Sequence, residues 1–327
     1  MIGIGIAGAG YFAALHARAI AAVPDMELVA VSARSEASTA AFAAEHGGTP
    51  CADWRTMLDD PRVDAILVAM PHHLHAEVTI AAAQAGKHVM VEKPMAPTLA
   101  ECQAMMDAAS AAGTQLMVGQ LMRYVRPCMA AHAYLATGAL GRPLFGRSSM
   151  VKFWMESNRR DWHLTQETGG GMLLTAGIHA LDRLVWLMGA PVEAVSAMSG
   201  HLFHDQPAPD VDLLLLRFAG GALGEVSSVG NRDRTTWNST ELSCEGGTLL
   251  LDFDAGVRIL RGGAAEALPD AIEPDWMLRG LEREWQDMAA AIRTGARLVA
   301  GGEEGAHLIA CIEAAQVSAR DRREVAV

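Results

Sequence analysis

Ile2-Gly3-Ile4-Gly5-Ile6-Ala7-Gly8-Ala9-Gly10-Tyr11-Phe12-Ala13 is the stretch from which the rest of the chain is read. Ile2–Ala7 is a short, continuous apolar run of the kind that forms a buried strand. Gly8-Ala9-Gly10-Tyr11-Phe12-Ala13 fits G-x-G-x-x-G/A and leads into a helical stretch, Tyr11–Ala22. The chemistry wants Gly8 for a tight turn, Gly10 for close backbone approach to a pyrophosphate, and a small Ala13 where helix meets sheet. A helix beginning there presents free N–H groups to an anion. Glycines alone punctuate many turns. Strand, motif and helix in this order favour dinucleotide binding over a bare turn, with Gly8, Gly10, Tyr11 and Phe12 as the expected contacts.

Working outward, apolar runs alternate with alanine-rich helical stretches. Strands are expected at Leu28–Ser32, Asp64–Met70, His88–Val91 and Gln115–Val118, and helices at Glu36–His46, His75–Ala85 and Leu99–Ala112. That alternation implies right-handed crossovers and a parallel sheet. Past Leu121 the rhythm changes. A helix over Met129–Thr137 leads into β-rich segments at Leu144–Trp154, Val192–His201, Val211–Phe218, Leu223–Val229 and Glu241–Phe253, with turns at Ala219-Gly220-Gly221 and Glu245-Gly246-Gly247. Gly169–Gly171 opens a helix running to Met188. Two further helices, Trp276–Arg293 and Glu303–Ala319, precede a short strand at Glu324–Ala326. The fold class is α/β: a doubly wound parallel domain over residues 1–120, then an α+β domain over 121–327 with a large, open, mainly antiparallel sheet.

The 327 residues, 51% hydrophobic and 20% charged, supply ample material for two packed cores and exclude a disordered chain. A net charge of −12, from 26 basic and 38 acidic residues, argues against a nucleic-acid surface, which needs a basic footprint. Five scattered cysteines without a C-x-x-C pair suggest neither a disulfide framework nor a sulfur-rich zinc site. No apolar run approaches a membrane span, and no signal-peptide pattern opens the chain, so a cytoplasmic location is expected. His72, His73 and His75 lie close in sequence but lack the H-E-x-x-H spacing or an accompanying acid, so no metal site is expected. The 18 methionines read as core filler.

The end of the second strand bears on the choice of dinucleotide. An NAD site usually has Asp or Glu there to accept from the ribose 2′-hydroxyl. This chain has Ser32-Ala33-Arg34-Ser35. Arg34 with the hydroxyls of Ser32 and Ser35 suits a 2′-phosphate, so NADP is preferred, with NAD possible. Further on, His88–Val91 runs into Glu92-Lys93-Pro94. Strand ends of this kind face the ligand crevice in open α/β sheets. Pro94 restricts Lys93 to extended backbone and fixes its exit direction.

Taken together, the glycine turn, Pro71-His72-His73-Leu74-His75 and Glu92-Lys93-Pro94 resemble the Gfo/Idh/MocA oxidoreductases. The resemblance continues through Gly138–Gly141, Trp162, Gly169–His179 with Asp182, and Ser318–Val325, so it covers essentially the whole chain. It implies a Rossmann domain and nicotinamide-dependent oxidation or reduction of sugars, polyols or related hydroxy and carbonyl compounds. By that resemblance Lys93 is the acid/base or polarising group and His179 assists in the substrate pocket. Glu92, Pro71, His72 and His75 fall where the family contacts cofactor, and Arg123, Tyr124, Trp162 and His163 fall near the pocket wall. Thr175 stands where the family commonly has Asp, four residues before the histidine, and His72 stands where it commonly has Asn. The expected partners are a small-molecule substrate and further copies of the chain, a dimer or tetramer through the C-terminal sheet. The alternative is a non-catalytic regulator of the same fold that senses nicotinamide or sugar, a reading to which Thr175 lends some weight.

Overall fold

The structure, a computed structural model, describes residues 1–269 and 271–327. Two compact units emerge. The first comprises Met1–Leu121 and Met277–Ala306; the second comprises Met122–Trp276 and His307–Val327.

In the first unit the chain runs β1 (Ile2–Ala7), α1 (Tyr11–Ala22), β2 (Met26–Ser32), α2 (Glu36–His46), β3 (Thr49–Cys51), β4 (Ala65–Val68), α3 (His75–Gln84), β5 (His88–Glu92), α4 (Leu99–Ala112) and β6 (Leu116–Gly119). The strands form one parallel sheet in the order β3-β2-β1-β4-β5-β6. Strand order reverses between β1 and β4, which is where open α/β sheets bind ligands beyond their strand ends. β1 and β4 are buried along their whole lengths, as strands covered on both faces must be. α4 starts on a capping box, Thr98 with Glu101, that satisfies its first amides.

The second unit begins with α5 (Arg126–Ala136), β7 (Pro143–Phe153), α6 (Ile178–Met188), β8 (Val192–Gly200), β9 (Val211–Phe218) and β10 (Leu223–Asn231). It continues with β11 (Trp237–Cys244), β12 (Gly247–Asp252), β13 (Gly256–Arg261) and β14 (Ala264–Ala267). The chain then runs through two long helices, α7 (Trp276–Thr294), counted from Met277 with the first unit, and α8 (Gly302–Asp321), and ends in β15 (Val325–Ala326). Nine strands form a sheet in the order β14-β13-β12-β11-β7-β10-β9-β8-β15, antiparallel except for the β7–β10 pair. α6 lies on one face of that sheet, against β7, β10 and β11.

The α/β class and the open, mainly antiparallel second sheet agree with the sequence reading. The segment Glu241–Phe253 is a hairpin, β11–β12, turning at Glu245-Gly246 where the sequence places a turn. Two features differ. β3, β13 and β14 were not anticipated; β14 is a fully exposed Ala-Ala-Glu-Ala, a composition with little strand preference that is held by pairing with β13. Residues 277–306 join the first unit although they interrupt the second in sequence. Their link is tertiary: Trp285, fully buried, donates its indole N–H to His16 Nδ1 at 3.0 Å.

Candidate active site

Gly8 leaves β1 with φ +126°, its N–H donating to Ser32 O at 2.8 Å. A Cβ on Gly8 would lie 2.1 Å from Ala69 O, so the turn admits no side chain. Gly10 caps α1 with extended backbone and no side-chain hydrogen bond to the first turn, which carries no acid. A Cβ at Gly10 would meet nothing within 4 Å. Uncapped amides facing open space at a helix start are the donor set that a pyrophosphate takes up. Ala13 is fully buried against the sheet, and Tyr11 is exposed with its ring edge-on to Phe12. The residues present therefore fit a dinucleotide.

At the end of β2, Ser32 is buried while Arg34 and Ser35 are exposed. Ser35 is the N-cap of α2, accepting from Ser38 N, so Arg34 is the group of the three that is turned to solvent without a capping duty. Past β4, Pro71 begins a short 3-10 turn, His72–Leu74, that delivers His75 to the start of α3. His75 is fully buried, with Nδ1 2.9 Å from Pro94 O and Nε2 2.8 Å from Met70 O. Burial pushes its pKa down, and the neutral ring ties the β4 exit to the turn after β5. His72 is also buried, its ring edge-on to that of His75.

Glu92 ends β5. Its Oε1 meets His16 Nε2 at 2.8 Å, and its Oε2 accepts the Lys93 backbone N–H at 3.2 Å. The Lys93–Pro94 peptide is cis. Burial alone would raise the Glu92 pKa; the hydrogen bond with His16, helped by the charge of Lys93, holds it below its ordinary value. Beside this cluster, at the exit of β6, Gln120 is fully buried, and neither polar atom of its amide has a partner among the described residues. His16, Trp285 and Gln120 were not singled out from the sequence. His16 sits on an alanine-rich helix face and Trp285 lies 269 residues away, so no local signal joins them.

In the second unit, Gly169-Gly170-Gly171 packs without room for side chains. A Cβ at Gly169 would lie 2.2 Å from Trp162 O, and one at Gly171 would lie 2.5 Å from Pro209 O. The chain then enters a π-helical turn, Leu173–Gly177, before α6. Such turns are rare and recur at functional sites. Thr175 and His179 lie four residues apart across this junction, both nearly buried. Thr175 Oγ1 donates to Gly169 O at 3.2 Å. Trp162 stacks on His163 with ring centroids 3.6 Å apart. The guanidinium of Arg123 donates through Nε and Nη2 to Asp182 Oδ1, at 2.9 and 2.6 Å, with both residues buried; Tyr124 is buried beside it. Arg183, also fully buried, donates to Thr240 Oγ1, Asn238 Oδ1 and Ser148 Oγ, which bolts α6 to β7 and β11.

Fold and turn together define a dinucleotide-binding Rossmann architecture. A model of the oxidoreductase family with NAD-binding Rossmann fold matches residues 2–120, and a model of the GFO/IDH/MocA C-terminal domain matches residues 128–250. The chain belongs to the Gfo/Idh/MocA oxidoreductase family, and its first unit is an NAD-binding Rossmann fold. It is 29% identical over 289 residues to levoglucosan dehydrogenase of Pseudarthrobacter phenanthrenivorans, covering 77% of this chain and 74% of that one. Inositol 2-dehydrogenase of Streptomyces avermitilis is 28% identical over 305 residues, covering 90% and 85%. A solved levoglucosan dehydrogenase in complex with NADH superimposes with a TM-score of 0.90 at 25% identity, covering 100% of this chain and 99% of that one. The chain is thus an NAD(P)-dependent enzyme of the dehydrogenase and reductase class. Among the described residues, no group of His, Cys, Asp and Glu is arranged to hold a metal ion, and no helix is long and apolar enough to cross a membrane.

Proposed function

We propose that the protein interconverts a hydroxyl and a carbonyl group on a sugar, polyol or related compound, using NADP(H) in preference to NAD(H). The observation that carries this reading is the pairing of an open, uncapped α1 start at Gly8–Ala13 with Glu92-Lys93-Pro94 in the same parallel sheet. Gly8, Gly10, Tyr11 and Phe12 would hold the pyrophosphate; Pro71, His72, His75 and Glu92 would serve the nicotinamide half directly or by fixing the turns around it. Bound there, the nicotinamide would supply or accept the hydride. Lys93 takes the hydroxyl proton on oxidation and returns it to the carbonyl oxygen on reduction, and His179 assists. Thr175, Trp162, His163, Arg123 and Tyr124 shape the substrate side; Arg123 acts through its pairing with Asp182.

The preference for NADP(H) is supported by an exposed Arg34 and by the lack of an acid at the end of β2. The sugar or polyol substrate is supported by relatives named for levoglucosan and inositol. An assembly of two or four copies is supported by the uncovered apolar face of the nine-stranded sheet, which carries Met198, Leu213, Leu215, Leu223 and Phe145. The test is a fluorescence titration with NADPH and NADH, followed by a turnover screen over polyols and anhydrosugars. Tighter NADPH binding that is lost in Arg34→Ala is the expected result; equal binding of the two reduces Arg34 to a surface charge. Lys93→Ala should bind cofactor yet lose turnover by ~100-fold or more, the usual scale for a general acid/base. Dinucleotide binding with no turnover across the screen would favour the sensor reading.

A further inference from the structure

Trp285, His16 and Glu92 form a buried hydrogen-bonded chain that ends at the lysine. An indole N–H only donates. Its partner at 3.0 Å is His16 Nδ1, which must therefore be the bare nitrogen of the ring, with the ring proton on Nε2. That proton is donated to Glu92 Oε1 at 2.8 Å. The indole thus fixes which ring nitrogen of His16 faces the carboxylate as a donor. The other carboxylate oxygen accepts the Lys93 amide.

We propose that His16 is a positioning residue: with its tautomer set by Trp285, it holds Glu92 ionised and aimed at the Lys93 turn, and so keeps Lys93 in its ammonium form. The proposal deepens the reading of Lys93 as the proton-exchanging group and rests on it. The ionisable groups facing Glu92 are His16 from α1, Lys93 on its own turn and His75 from α3, and burial keeps His75 neutral. β6 contributes Gly119, where a Cβ would lie 3.2 Å from Glu92 Oε1, and it adds no charge. Lys93 is among the charges that lower the Glu92 pKa. Coupling of two charges is reciprocal, so Glu92 strengthens the hold of Lys93 on its proton. In this form Lys93 is set to polarise a carbonyl oxygen and to protonate it in the reduction direction; in oxidation it takes up the hydroxyl proton only after giving up its own.

The sequence makes the test direct, because the chain has only three lysines, Lys87, Lys93 and Lys152. Lys87 donates to the carbonyls of Asp60 and Val63, and Lys152 pairs with Glu156. Full-length protein labelled with 13C at lysine Cε should give three resonances, with that of Lys93 identified by its loss in Lys93→Arg. The Lys93 titration midpoint should fall by ~1 pH unit in Glu92→Gln, as expected on losing a close opposite charge, and should move in the same direction in His16→Met, as the carboxylate loses the donor that aims it at the Lys93 turn. His16→Gln, which keeps an N–H donor at similar reach, should restore it. Lys87 and Lys152 should not move in any variant. Trp285→Phe releases the ring of His16 and should shift the Lys93 midpoint in the same direction as His16→Met.

An unchanged Lys93 midpoint in Glu92→Gln, a near-isosteric change that keeps the packing, overturns the proposal even if His16→Met fails to fold. Equal midpoints in His16→Met and His16→Gln overturn the role of the His16 donor. The titration needs neither cofactor nor substrate, so its failure counts against the coupling alone. Undiminished turnover in Lys93→Ala would instead count against the acid/base role of Lys93.

Discussion

Asp182 is fully buried, and one of its oxygens receives two N–H groups from Arg123. Replacing it by Ala leaves a buried guanidinium without its countercharge, which costs about 3–5 kcal/mol. Urea unfolding of Asp182→Ala should show a loss of that order, whereas Asp161→Ala, at an exposed position, should leave stability nearly unchanged. Gly8→Ala forces a methyl to 2.1 Å from Ala69 O at a backbone angle that L side chains rarely adopt. It should weaken dinucleotide binding at least tenfold, read by nicotinamide fluorescence. The two residues also mark what a sequence yields. Gly8 is legible because its reason is local, a glycine after a strand and before a helix. Arg123 reads only as a polar group near the pocket wall, because its partner lies 59 residues away and pairing across that distance has no sequence signature. Trp285 and His16 are hidden for the same reason.

Among elements, the strands and helices with strong periodicity fall within a few residues of expectation, as α1, α2 and α4 do. The π turn before α6 does not follow from pattern: Leu173–Gly177 is apolar and helical in any reading, and its wider winding comes from tertiary fit, with Gly177 pressed so close to Ser228 that a Cβ would lie 2.3 Å from the Ser228 hydroxyl. β13 and β14 are likewise products of pairing rather than composition. The β8–β9–β10 region carries its own titration. Asp212 on β9 accepts from Ser199 Oγ at 2.5 Å, and burial pushes its pKa from 3.8 up to about 6. The folded state therefore binds this proton more tightly than the unfolded chain. Its contribution is fully present below pH ~4 and is lost as pH rises to about 6, amounting to ~3 kcal/mol at most. Asp212→Asn should accordingly be more stable than the wild type at pH 8, with the advantage shrinking as pH falls toward 4. Chemical denaturation at the two pH values checks the sign.

At the scale of the whole molecule, the nine-stranded sheet has one face under α6 and the other open. The open face carries Met198, Leu213, Leu215, Leu223 and Phe145, with Arg147 paired to Glu241. An apolar patch of this kind on a charged protein marks an association surface. A Met198→Lys, Leu215→Lys double variant should sediment as a monomer while the wild type sediments as a dimer or tetramer; matching sedimentation of the two would remove this face as the interface. The order of the units along the chain has a separate consequence. The six parallel strands are all translated by residue 119, yet Trp285 follows only after the 155 residues of the intervening stretch 122–276. At ~5–20 residues per second, that is a wait of roughly 8–30 s on the ribosome. Throughout that interval a nascent sheet carries an unclosed flank at His16, and only the arrival of α7 seals it. A chain that stops before α7 thus lacks the element that covers His16 in the first unit.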